Sequence, residues 1–270
     1  MWLLLLLFII GASSHTFDTY FANIAVELSA QAYCSIENYK LMPMPTNIIV
    51  TDTLYDKVSD IQGYVAVDNT NEIIYVVFRG SSSILNWLDD FEIQKVPYTS
   101  YPECNCTVHK GFYYATQHLK NATQDAVFRL INTYNYNTVI VTGHSLGAAI
   151  SQLIGMELAR YIRSPIIYNF GQPRIGDKIY AGFVNTQIME MYRFTHNHDI
   201  VPRVPPRVLG YLHSCREIFE EENGELRECS EVNCEDITCS DQYTAKDLGI
   251  IDHSIYLGRV MTCTTGVPPP

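Results

Sequence analysis

Basic residues are scarce in this sequence. Eighteen Lys and Arg stand against 29 Asp and Glu in 270 residues, a formal charge of −11. That balance argues against nucleic acid as a partner and against docking on anionic membranes through a basic patch, and says nothing about neutral lipid surfaces. Charged residues of both signs make up only 17% of the chain and apolar ones 47%, proportions of a globular enzyme rather than a disordered chain. No apolar run reaches the roughly 20 residues that a bilayer span needs. Cys229, Cys234 and Cys239 lie five apart with no Cys-x-x-Cys pair, which argues against zinc. With no internal repeat and no Gly/Ser linker, one α/β domain with a sizeable core is expected.

The N-terminus carries a leucine-rich run to Ile10 followed by Gly11-Ala12-Ser13-Ser14. It is too short to cross a membrane but suits the apolar segment of a secretory leader, although Lys and Arg are missing ahead of it. Residues 1–14 are expected to be removed before His15, leaving 15–270 as a secreted, extracellular or lumenal, monomeric domain. Eight cysteines (34, 104, 106, 215, 229, 234, 239 and 263) form an even set suited to disulfides in an oxidising compartment. The sequons Asn105-Cys106-Thr107 and Asn121-Ala122-Thr123 agree with export. No metal or other cofactor is expected.

What is there is organised around Thr138–Gly147. The β-branched run Val139-Ile140-Val141 ends in Gly143-His144-Ser145-Leu146-Gly147, and an alanine-rich helical pattern follows at once. Strand, G-x-S-x-G, helix is the setting of a nucleophile elbow, whose glycines make room for a strained turn. Upstream, residues 17–33 space their apolar positions as an amphipathic helix, and 61–67 and 73–78 read as strands around the polar turn at 68–71. The second strand, IIYVVF, is apolar throughout, as a strand buried on both faces should be. Further helices and strands (the helix to about Tyr134, strands 165–170 and 191–195) alternate, which implies a mainly parallel sheet covered on both faces. Residues 216–229 read as a glutamate-rich, solvent-facing hairpin around Asn223-Gly224.

A serine hydroxyl needs a histidine to take its proton and a carboxylate to orient that histidine. On this scaffold the order is Ser, acid, His, with acid and base beyond the carboxyl ends of later strands. Asp199, just past the strand ending at Thr195, is the first choice for the acid. Asp177 is the second, though capping the following helix suits it better. His253 is favoured over His213 as the base. His144 and His109 read as packing or supporting residues. The oxyanion would be met by the N–H of Leu146 and by a donor from the loop that Ser81 begins; a serine there would equally suit capping the next helix, and the two roles are compatible. Ile84, Trp87, Leu88 and Phe91 share one face of a short helix, either a surface helix on the core or a lid.

FRGSSSILNW, VHKGF, GHSLGAA, NFGQPRIGD, YRFTHNHDIVPRVPP and DHSIYLG occur in this order. The chain thereby resembles the fungal-type (class 3) lipases of the α/β-hydrolase superfamily over roughly residues 25–263. The resemblance implies an α/β fold with a central, mostly parallel sheet, helices on both faces and a short helical lid. It matches Ser145, Asp199 and His253 to the triad, Ser81 to the oxyanion hole and Ile84–Phe91 to the lid. It also implies a Cys34–Cys263 bridge and leaves the other six cysteines open; a bond between Cys104 and Cys106 is expected to be strained. The expected activity is that of a triacylglycerol lipase on neutral lipid at an interface. The alternatives are a feruloyl-type esterase, a phospholipase A1, or a non-catalytic lipid-binding protein.

Overall fold

The run Ile73–Phe78 becomes a strand buried at every position, and the sheet is assembled outward from it. The computed structural model describes residues 17–39, 44–45, 47–90, 92–232 and 234–263. The expected leader (1–14), His15 and Phe91 lie outside the described residues.

Eight strands form the sheet in sequence order: β1 Ile48–Asp56, β2 Ile61–Asp68, β3 Ile73–Phe78, β4 Thr138–His144, β5 Ile166–Phe170, β6 Glu190–His196, β7 Glu217–Glu220 and β8 Leu226–Glu228. β3 to β7 run parallel, while β1, β2 and β8 attach antiparallel at the two edges. The helices are α1 Thr19–Gln31, α2 Ile84–Asp89, α3 Lys110–Tyr134, α4 Leu146–Leu158 and α5 Lys178–Gln187. This is the mostly parallel α/β-hydrolase sheet that the motifs implied.

Successive strand residues point to opposite faces, and the two cores divide accordingly. Val65, Val67, Ile74, Val76, Val139 and Val141 pack under α3, α4 and α5. Tyr64, Ala66, Ile73, Tyr75, Val77 and Ile140 pack against α1. Burial on both faces is why IIYVVF shows no alternation. β1 was not anticipated, although its buried and exposed residues largely alternate as an edge strand's should.

The hairpin corrects one expectation. All four residues of β7 are buried, because β7 lies between β6 and β8 rather than on the surface. Its glutamates find partners inside: Glu217 accepts from Thr195 at 2.7 Å, and Glu220 accepts from the Leu257 N–H at 2.9 Å.

The cysteines pair as Cys34–Cys263, Cys104–Cys106, Cys215–Cys234 and Cys229–Cys239. The first is the bridge implied by the resemblance; the second is formed despite its one-residue spacing. Asn105 adopts the left-handed conformation (φ 48°, ψ 42°), which folds the chain back and leaves the two Cα atoms 5.2 Å apart, within the ordinary span. The cysteines weighed as zinc ligands are therefore held in disulfides.

Candidate active site

β4 delivers its chain directly into α4 through one residue. Ser145 has φ 58° and ψ −126°, a conformation that costs a non-glycine residue of order 1–3 kcal/mol and persists only where the surroundings enforce it. The enforcement is visible. The Ser145 N–H donates to the Phe170 carbonyl at 3.0 Å. A Cβ on Gly143 would lie 2.5 Å from the Gly147 carbonyl, and one on Gly147 would overlap the Phe78 carbonyl oxygen and lie 2.8 Å from the Arg79 carbonyl carbon. The glycines thus let α4 start against both β4 and the end of β3. Gly147→Ala should lower stability by about 3 kcal/mol, since backbone on both sides blocks relaxation. A thermal melt checks this; an unchanged Tm would contradict it.

Asp199 lies in the turn after β6, with 2% of its surface exposed. Its Oδ1 accepts from the Val201 N–H at 2.8 Å. Its Oδ2 accepts from His253 Nδ1 at 2.8 Å and from the Tyr256 hydroxyl at 2.5 Å. Burial and the Asp199 charge push the Tyr256 pKa well above its ordinary value, so this hydroxyl stays protonated and donating. His253 is in a 3₁₀ turn at Asp252–Ser254. With Nδ1–H committed to the carboxylate, its Nε2 carries the lone pair. Among the described residues, His253 Nε2 and Ser145 Oγ are both buried without a hydrogen-bond partner. Gly171 brings them to one place: it follows Phe170, which holds Ser145, and a Cβ on it would lie 2.8 Å from His253 Cε1.

The other candidates have structural partners. Asp177 caps α5 by accepting from the Tyr180 N–H and also accepts from the Thr107 N–H, each at 2.8 Å. His213 is buried, with Nε2 donating to the Pro202 carbonyl at 2.7 Å and its N–H donating to Glu235. His109 caps α3 through Nδ1 and pairs its Nε2 with the Glu92 carbonyl. His144 packs its ring 4.3 Å from that of His253. The serine that caps α2 is Ser83, accepting from the Asn86 N–H, and not Ser81. That leaves Ser81 half-buried just past β3, next to Gly80, where a Cβ would lie 3.0 Å from Ser145 Cβ.

α2 is shorter than the Ile84–Phe91 segment expected. Ile84, Trp87 and Leu88 are half-buried, while Leu85 is 59% exposed. Trp87 stacks on Phe112 with ring centroids 6.2 Å apart. Beneath it runs a cleft of about 500 Å³ whose walls include Ile61, Trp87, Phe112, Ala115 and Leu146. The wall thus reaches Leu146, the residue following Ser145, and Asp90, Glu92 and His109 also line the cleft.

Residues 75–209 match the family model for class 3 lipases. The chain belongs to the class 3 lipase family. It is 34% identical over 208 residues to a lipase of Rhizomucor miehei, spanning 74% of this chain and 56% of that protein. It is 31% identical over 202 residues to a secreted mono- and diacylglycerol lipase of Fusarium solani, spanning 75% of this chain and 60% of that one. The chain therefore matches less than two thirds of the length of these relatives. A solved Rhizomucor miehei triacylglyceride lipase superposes with a TM-score of 0.84 at 29% identity, over 91% of this chain and 96% of that one. In the sequence, Tyr256 is visible only as the tyrosine of the DHSIY motif; its bond to Asp199 spans 57 residues of sequence.

Proposed function

We propose that this class 3 lipase is a secreted serine ester hydrolase, a triacylglycerol lipase working at a lipid–water interface through an acyl-enzyme on Ser145. The observation that carries the reading is the unpartnered pair, Ser145 Oγ and His253 Nε2, with His253 oriented by buried Asp199. His253 Nε2 takes the Ser145 proton as Oγ adds to the ester carbonyl. The N–H of Leu146, with a donor at Ser81, receives the oxyanion. Collapse returns the proton to the leaving alcohol, and a water activated by His253 then frees the acid.

The cleft favours a lipid over a polar ester. Its apolar wall under Trp87 is suited to an acyl chain, and the apolar α2 side chains gain about 1.5–3 kcal/mol each on transfer from water to oil. The names of the relatives agree, and secretion fits the disulfides and a relative named as secreted. The negative charge of −11 favours neutral glycerides over anionic phospholipids. The experiment is a panel of trioctanoin, a monoglyceride, phosphatidylglycerol and a feruloyl ester. The glycerides should be hydrolysed fastest; a faster rate on phosphatidylglycerol or the feruloyl ester would replace the substrate assignment. Activity on a short-chain ester should rise several-fold above its solubility limit, and Trp87→Ser should blunt that rise. A rate that ignores the limit, unchanged by Trp87→Ser, defeats the interfacial part.

A further inference from the structure

Three backbone segments must hold their places for the proposed chemistry: the turn with Ser81, the elbow with Ser145 and the turn with His253. One side chain outside all of them touches each, directly or at one remove. Tyr33 follows α1, next to the Cys34–Cys263 bridge. Its hydroxyl lies 2.6 Å from His144 Nδ1 and packs on Gly80. His144 Nε2 lies 2.8 Å from the carbonyl oxygen of His253.

The direction of each bond can be worked out. A carbonyl only accepts, so His144 Nε2 carries a proton and donates to it. Burial, with His253 close by, holds the His144 pKa well below the ordinary imidazole value. The ring is therefore neutral and Nδ1 bears a lone pair. Tyr33 must then donate to Nδ1. The result is one unidirectional chain, from Tyr33 O–H to His144 to the His253 carbonyl, in which each bond polarises the next. The fit is close: a Cβ on Gly80 would overlap the Tyr33 hydroxyl and lie 2.9 Å from the His144 carbonyl and 3.0 Å from Ser145 Cβ.

We propose that Tyr33 is a positioning residue which, through His144, locks the Ser81, Ser145 and His253 segments into one register. It touches no reacting atom. Its effect is on geometry, and displacement of reacting groups by about 1 Å can cost on the order of 100-fold in rate. The proposal rests on the serine-hydrolase reading above, so the test separates the two.

The full chain is titrated with a serine-reactive phosphonate to count competent sites, and turnover of a soluble ester is expressed per labelled site. In Tyr33→Phe, kcat per labelled site should fall about 10- to 100-fold with KM within about twofold, as expected when positioning rather than substrate binding is lost. His144→Phe should lower kcat similarly. The double variant should be no more than about threefold slower than His144→Phe alone, because the chain is already cut. Counting labelled sites removes misfolded protein from the comparison, and Gly80→Ala gives a second route to the same kcat loss. Wild-type kcat per site in Tyr33→Phe, or losses that multiply in the double variant, would overturn the proposal. If wild-type protein does not label at all, the serine-hydrolase reading falls, and the role of Tyr33 with it.

Discussion

Ser145→Ala is expected to lower kcat by about 10⁶-fold, the scale reached when the nucleophile of a serine triad is removed. The same variant should keep, or slightly raise, its Tm. Ser145 Oγ is buried without a hydrogen-bond partner among the described residues, so its removal sacrifices no bond and relieves an unsatisfied polar atom. The positive φ is imposed by β4, β5 and the two elbow glycines, and alanine meets the same backbone cost as serine. Loss of function with no loss of stability distinguishes a reacting group from a structural one. Kinetics, a thermal melt and phosphonate labelling on the two proteins decide it. A kcat loss under 100-fold, or labelling that survives the substitution, would move the nucleophile elsewhere.

The elbow was legible because the sequence signals that mark it are local. The β-branched run, the two glycines and the alanine-rich helix occupy adjacent positions, and the same holds for IIYVVF and for the helix ending at Tyr134. Asp199 and His253 could be chosen from chain order because the parallel connections deliver every strand's carboxyl end to one edge of the sheet. What stayed hidden depends on residues far apart in sequence. Tyr33 and His144 are 111 positions apart, and His144 reaches His253 across 109. Nothing in either local pattern marks them as partners.

One misreading and one open pairing have the same origin. Glutamate in a short hairpin signals solvent only while the hairpin is an edge. β8 takes the edge, and β7 is left inside with Thr195 and the Leu257 N–H as ready donors. The Cys104–Cys106 pairing was left open by the sequence, and a left-handed Asn105 supplies the turn that spacing cannot express. In both cases the deciding quantity was a position in three dimensions, whereas the residue types were read correctly.

Asp199→Asn should lower kcat by about 10⁴-fold, the loss seen when the orienting carboxylate of a triad becomes an amide. The hydrogen bonds around this residue explain why no rotamer escapes. As a carboxylate, Asp199 accepts at every position: Oδ1 from the Val201 N–H, Oδ2 from both His253 Nδ1–H and the Tyr256 hydroxyl. An amide has one acceptor atom and one donor. If its oxygen faces Val201, its NH₂ faces His253 and drives the imidazole to the tautomer with Nε2 protonated, which cannot take the serine proton. If its oxygen faces His253, its NH₂ meets the Val201 N–H, and the turn that places the residue is forced open. The first arrangement keeps the fold and loses the base; the second risks both. Accordingly kcat should collapse while KM changes little, and phosphonate labelling of Ser145 should slow in proportion to kcat, because both need the proton removed. Labelling at the wild-type rate in Asp199→Asn would mean that His253 is oriented by another group, and the carboxylate would have to be sought elsewhere on the carboxyl edge of the sheet.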